Sequence, residues 1–393
     1  MVQYAESARP ARRARRAEEA ASVAARLDWL LVGATAGLVA FGLWAISGIT
    51  RHDVPGDPDH YVVRQAVFAG IGLALLVAMV VVDPRRLARS RQALYGALLV
   101  PLALVLVAGA AIRGSRRWID LGFFQFQPSE FGKVLLVLFL AAFLAERGRR
   151  VAESGTVAAA VGLSAIPAVL VFVEPDFGTA LVYVAVLAGA LFVAGARWLH
   201  LAVLGSLGVL SAVGLIWLLP AAGVGVLKDY QSDRLTALFD RGNASPGTTY
   251  NVEQSITAVG SGGLDGRGVA GATQTNLDYL PEHATDFVFA SLAEQRGFLG
   301  ASMLLLLYLL LLWRGLRIVS MAGDAFSAIA AAGILVGLLF SIFINLGMTM
   351  GIAPVTGIPL PFVSVGGSSL VANLAAVGVL LAIHARSPRR GSR

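Results

Sequence analysis

The sequence predicts an all-α integral membrane protein of about ten transmembrane helices, with both termini cytoplasmic and a large, partly helical outer loop between the seventh and eighth helices. Three observations predict it. Of 393 residues, 57% are hydrophobic and only 14% charged, far from the mix of a soluble domain. Ten apolar runs of about 17 to 28 residues recur along the chain, each near the ~20 residues that cross a bilayer as helix. The arginines sit in short clusters between those runs and form no single basic face, a topological pattern.

The runs cover approximately 28–49, 63–82, 92–112, 129–146, 156–173, 179–195, 198–220, 286–313, 325–350 and 365–385. Alternate gaps, including both tails, hold 20 of the 31 Lys and Arg residues, so the positive-inside rule puts both tails in the cytoplasm. The expected organisation is a basic tail over 1–27, one ten-helix membrane domain over 28–385, and a second basic tail over 386–393. EPDFG, the RGSRRWIDLGFFQFQ stretch and the long 221–285 segment then face outward. The arginine pairs of ARRARRAEEA look like a twin-arginine export signal, but the apolar run that follows is too long for one and lacks a cleavage site. The net charge of +7 therefore indicates topology and not nucleic-acid binding. The chain has no cysteine, which excludes disulfides, thiolate metal sites and cysteine nucleophiles.

In LPEHATDFVFASLAEQRG, Asp286 stands where a polar loop gives way to an apolar run. A carboxylate there is either an anchor at the water boundary or a reactive group held at a chosen depth. QPSEFGKVLLVLFL puts Pro128 at a helix start and Glu130 and Lys133 on one helix face. Burying either charge alone costs at least ~2.5 kcal/mol, so the pair marks a function or locks helices together. Lys133 is one of two lysines, Lys228 being the other; a compact ammonium in an arginine-rich chain suits phosphate.

EPDFGTA is so short a connection that Glu174 and Asp176 are expected at the membrane surface beside one mouth, with Asp176 also able to cap the next helix. In the outer loop, YQSDRLTALF reads as a short helix on the membrane surface. Further on, Gly266, Gly268 and Gly271 match G-x-G-x-x-G, but without the strand and βαβ unit of a dinucleotide fold. These glycines can let backbone approach a ligand or form N–H nests. GIAPVTGIPLPFVSVGGSSL offers Ser364, Ser368 and Ser369 to a polar pocket, or to capping and close packing. With Arg116 and Arg117 these pieces make an outward cavity without a His/Cys zinc set. Such a cavity fits a general base acting beside an anionic leaving group.

WIDLGFFQFQPSEFGK, EPDFGTA, QSITAVGSGGLDGRGVAGATQTNLDYLPEHATDFVFA and NLGMTMGIAPVTGIPLPFVSVGGSSL, in that order, resemble the motifs of the SEDS family (shape, elongation, division, sporulation). GSGGL, YLPE and PVTGIPLPFVS are more similar to its elongation (RodA-type) branch than to its division (FtsW-type) branch. The resemblance implies a peptidoglycan glycosyltransferase of the bacterial plasma membrane, polymerising lipid II on the extracytoplasmic side for elongation and rod shape. It implies a class B penicillin-binding protein as transpeptidase partner, other rod-complex membrane proteins, membrane lipids and no nucleic acid. The family's essential aspartate falls on Asp286, its polar residues of the fourth span on Glu130 and Lys133, and its acidic turn residue on Asp176. Two positions depart from the family pattern. Ala284 takes the usual place of a histidine, with His283 one residue earlier, and Val365 stands where a tyrosine commonly precedes the paired glycines.

On this reading Asp286 is the catalytic base. Lys133 and Arg117 offset charge on the departing pyrophosphate, with Glu130 and Asp176 holding Lys133 or a cation. Gly262 and Gly263 let the loop close over the sugars, while Gln254, Ser364, Ser368 and Ser369 complete the substrate-binding set. Mg2+ or Mn2+ near Asp286 and Glu130 is the candidate cofactor, and no organic cofactor is expected. The competing classes are a lipid II flippase, which an outward charged cavity would also suit, and a non-catalytic scaffold in which Asp286 is only an anchor.

Overall fold

The computed structural model describes residues 25–112, 115–120, 122, 124–214 and 246–388. Its helices in chain order are α1 (Trp29–Ile49), α2 (His60–Val81), a short α3 (Pro84–Arg89), α4 (Arg91–Ala108), α5 (Pro128–Ala145), α6 (Ser154–Val173), α7 (Phe177–Ala194) and α8 (Trp198–Val213). They continue with α9 (Pro246–Ser261), the single turns α10 (Gly268–Gly271) and α11 (Thr273–Asn276), then α12 (Val288–Met321), α13 (Ala325–Thr349) and α14 (Gly367–Arg386). Among the described residues eight helices are long and apolar enough to cross a membrane, and α4 and α8 are shorter apolar helices in the same series. A helix thus stands on each of the ten predicted runs, and the chain is a multi-pass membrane protein.

Local chemistry explains where these helices begin. Asp28, Asp83, Asp176 and Asp324 are N-caps whose carboxylates accept from the backbone N–H of Leu31, Arg85, Thr179 and Ser327, satisfying donors that a helix start leaves open. Pro84 and Pro128 occupy first-turn positions, where the missing N–H costs nothing. The apolar span of α14 is 94% buried and those of α5 and α13 are 72% and 67% buried, against 17% for α2. The most buried helix is therefore the central staff, and the least buried turns Val63, Leu73 and Val77 outward.

Two elements differ from the sequence reading. The third run was expected to reach residue 112, but α4 stops at Ala108 and Ala110–Ile112 forms strand β1, paired antiparallel with β2 (Ser115–Asp120), which pairs in turn with β3 (Gln125–Phe126). The chain turns back on itself here, and the backbone groups that no longer bond along a helix bond across the antiparallel ladder instead. The eighth run was expected over 286–313. Instead α12 runs on to Met321 and is broken at Gly297, which has φ +63° and ψ −163°, a conformation an L side chain resists. The 263–264 backbone docks at this break, with Phe298 N donating to Gly263 O at 2.8 Å and Leu299 N to Leu264 O at 3.1 Å. The opening segment of α12 becomes a separate buried arm rather than the top of a straight span. YQSDRLTALF, Lys228, the end of the seventh run, the side chain of Arg116 and most of both tails lie outside the described residues.

Candidate active site

Glu130 and Lys133 occupy the first turns of α5, as their spacing predicts, and Lys133 Nζ lies 2.7 Å from Glu130 Oε2, with side chains 13% and 2% exposed. A cavity of about 30 Å³ opens beside them toward Ser341 and Asn373. That is room for water and for nothing much larger.

The EPDFG turn is the next piece. Asp176 was expected at the membrane surface, but it is buried and tied down by several donors. Its Oδ1 caps α7, while Oδ2 accepts from Ser129 Oγ at 3.0 Å and Gln127 Nε2 at 3.1 Å. Glu174 is also fully buried; burial first and the Asp176 charge second push its carboxyl up to about 8, against the opposing pull of Arg117. Glu174 therefore carries its proton at neutral pH, a consequence of low dielectric around a like-charged neighbour. Arg117 reaches the same turn, its Nε donating to Glu174 O at 3.2 Å and a terminal nitrogen donating to Pro175 O.

Asp286 is half-buried, one residue before Phe287, the N-cap of α12. Three bonds from other parts of the chain fix the backbone around it. Val365 N donates to Ala284 O at 2.9 Å, Ser364 Oγ to Thr285 O at 2.5 Å, and Asn345 Nδ2 to Asp286 O at 2.9 Å. The same Asn345 amide reaches Ile358 O at 2.8 Å, and Gln65 bridges Ser364 O and Gly366 N at 3.0 and 3.2 Å. The serines are engaged by protein: Ser368 Oγ accepts from Gln127 N at 3.0 Å and donates to Gln125 O at 2.9 Å, and Ser369 Oγ accepts from Asn373 Nδ2 at 3.2 Å. Residues 364–369 thus brace the Asp286 loop against the start of the Lys133 helix. Polar contacts buried in this way hold geometry rather than leave groups open to ligand.

The loop glycines make close approaches, but to the protein itself. A Cβ at position 262 would lie 1.9 Å from Ala293 O, and Gly263 has φ +56°, so the GSGG turn seats directly on the buried arm of α12. Glu294, fully buried on that arm, accepts from Gln274 N at 2.8 Å, Thr275 N at 3.0 Å and Thr275 Oγ1 at 2.8 Å, pinning α11 just upstream of the Asp286 loop. Gln254 is half-buried on α9, and no described hydrogen bond joins it to the braced network. Among the described residues no three His, Asp or Glu gather in one place, and the two carboxylates to which the Mg2+ or Mn2+ expectation was attached, Glu130 and Asp286, stand on different elements, α5 and the loop before α12.

Sequence reasoning missed Gln65, Gln127, Ser129, Glu294 and Asn345. Gln65 and Asn345 had a usable signal, since each is a lone amide in an apolar run and polar groups at such depth ask for a partner. Asn345→Leu keeps the branched side-chain shape but removes the donor from two carbonyls, each a loss of about 1–3 kcal/mol. The expected result is a marked fall in turnover with substrate affinity nearly unchanged, read by steady-state kinetics of whatever reaction Asp286 serves; equal kinetics would show that the brace does not hold the loop.

Residues 25–389 match the family profile of FtsW, RodA and SpoVE, described as cell cycle proteins. Stage V sporulation protein E of Bacillus subtilis is 38% identical over 361 residues, which is 90% of this chain and 96% of that one. The peptidoglycan glycosyltransferase MrdB of Escherichia coli K12 is 35% identical over 349 residues, 88% of this chain and 92% of that one. A chain of a peptidoglycan synthase complex, solved for its coordination of polymerization and crosslinking, superposes with a TM-score of 0.77 at 34% identity, covering 91% of this chain and 97% of that chain.

Proposed function

This chain belongs to the FtsW, RodA and SpoVE family of cell cycle proteins, and from that membership we propose how its own residues polymerise a lipid-linked glycan. It is a peptidoglycan glycosyltransferase. The substrate is lipid II, and Asp286 is the general base: its carboxylate accepts the proton of the acceptor's GlcNAc 4-hydroxyl as that oxygen attacks C1 of the donor's MurNAc. The bond from C1 to the pyrophosphate oxygen breaks with inversion, giving a β-1,4 linkage and undecaprenyl pyrophosphate. Lys133 and Arg117 offset the charge growing on that leaving group, the preorganised kind of stabilisation that costs no rearrangement during reaction. Glu130 orients Lys133, and Asp176 with Gln127 and Ser129 fixes the turn whose carbonyls hold the Arg117 side chain.

One observation carries the reading: three main-chain carbonyls in a row, those of Ala284, Thr285 and Asp286, are each held by a donor from elsewhere in the fold. An anchor at a water boundary needs no such fixing, whereas a base must stand within hydrogen-bond reach of its proton. By charge bias the mouth is extracytoplasmic and both termini cytoplasmic, in the bacterial plasma membrane. The likeness to a chain of a synthase complex supports a class B penicillin-binding protein as partner. The elongation role rests on the GSGGL and PVTGIPLPFVS segments; the relatives' identities do not separate the branches.

The test uses the purified full chain with its cognate penicillin-binding protein, given lipid II in detergent and, separately, in sealed vesicles. Glycan strands in detergent are the expected result. Movement of lipid II across vesicles with no polymer in either assay would replace this reading with a flippase.

A further inference from the structure

His283 sits three residues before Asp286, and both of its ring nitrogens face acceptors. Nε2 lies 3.0 Å from Asp53 Oδ1 in the connection after α1, and Nδ1 lies 3.2 Å from Leu280 O in its own loop. A carbonyl can only accept and an ionised carboxylate can only accept, so satisfying both contacts requires a proton on each nitrogen. The pair is sheltered, with His283 and Asp53 side chains 12% and 18% exposed. Its anchor is firm, because Asp53 N donates to Thr50 O at 3.2 Å and Thr50 is the C-cap of α1.

From these contacts we infer that His283 is a positioning residue for the polymerisation reaction: as an imidazolium it clamps the 280–286 loop, and Asp286 with it, to the end of the first membrane helix through Asp53. The loop therefore has two kinds of attachment: the brace made by Ser364 and Val365, which carries no titrating group, and the Asp53 clamp, which depends on a proton. A neutral ring, in either tautomer, can donate to only one of its two partners, so deprotonation releases either Asp53 or Leu280 O. This inference rests on the reading of Asp286 as the base.

The charged groups acting on the ring are Asp53, from the 51–59 connection, and Asp278, from the same loop. From α12 the neutral Ser291 hydroxyl reaches the His283 carbonyl at 3.3 Å. Burial works against the imidazolium, but the Asp53 hydrogen bond and charge, the Leu280 bond and Asp278 outweigh it and hold the ring's pKa above its usual value. The sign follows: a raised folded-state value means the clamp is complete below the ordinary histidine pKa of about 6.5 and is lost as pH rises through the raised one.

The experiment compares wild type, Asp53→Asn and His283→Gln, each as full chain with its penicillin-binding protein, in lipid II polymerisation across about pH 6 to 9. In parallel, NMR of histidine-labelled protein follows the His283 ring, identified by the resonance missing in His283→Gln. Wild type is expected to lose kcat on the alkaline side with little change in KM. Asp53→Asn should shift that loss to lower pH by about one unit or more, the effect of removing an adjacent opposite charge, and His283→Gln should show no alkaline step. The ring should titrate above the usual value in wild type and lower in Asp53→Asn. A ring that titrates at the same pH in both, or an identical alkaline limb in all three proteins, overturns the clamp. The NMR arm does not depend on catalysis, so a failure of Asp286 as base would leave the ring titration standing and the two failures are told apart.

Discussion

Asp286→Asn is expected to abolish lipid II polymerisation while leaving a folded, helical protein. General-base assistance contributes about 10²- to 10⁴-fold, and an amide of the same shape cannot accept the proton. The substitution is conservative for the fold because an amide keeps the shape of the carboxylate, and the bond from Asn345 to the residue 286 carbonyl at 2.9 Å is a backbone contact that an Asn retains. Glycan yield should therefore fall by at least ~10²-fold, with a melting temperature in detergent near that of wild type. Asp286→Glu displaces the carboxylate by one methylene and should retain a fraction of the rate, since catalytic geometry tolerates little displacement. An anchor at the membrane edge makes the opposite prediction: Asn and Glu would both serve. Polymerisation by Asp286→Asn at the wild-type rate would remove the base from the mechanism altogether.

The features legible in the sequence are those whose cause is local. The apolar runs give the helices, Asp28, Asp176 and Asp324 mark helix starts because capping is settled within three residues, and Glu130 meets Lys133 because i,i+3 side chains share a helix face. What the sequence hid is set by partners far along the chain. Gln65 answers to Ser364 and Gly366, 299 and 301 residues away, and Gln127 to Ser368, 241 residues away; no periodicity records such pairs. The break at Gly297 was hidden for the same reason. A glycine in an apolar run reads as a tolerated weak point, and only the 263–264 backbone docking beside it turns it into a joint. The hairpin was concealed because Ala110–Ile112 continues the apolar run of α4, and its strand character exists only through pairing with Ser115–Asp120.

Lys133→Met should destabilise the protein by about 3–5 kcal/mol, because it leaves the Glu130 carboxylate buried without its counter-charge. The size of that effect would not by itself assign Lys133 a chemical role, since a purely structural pair breaks at the same cost. The double substitution Glu130→Leu with Lys133→Met separates the two. Removing both charges and replacing them with apolar side chains is often neutral or stabilising, so the double variant should recover the thermal stability that Lys133→Met loses. Activity then has two possible outcomes. If Lys133 neutralises charge on the leaving pyrophosphate, the double variant is stable yet slower in kcat by about 10²- to 10³-fold, the loss typical of removing one preorganised donor. If the pair only locks α5 in place, stability and polymerisation return together. The exposures favour the first outcome: the Lys133 side chain keeps 13% exposure against 2% for Glu130, so of the two charges the ammonium is the one an arriving phosphate can reach.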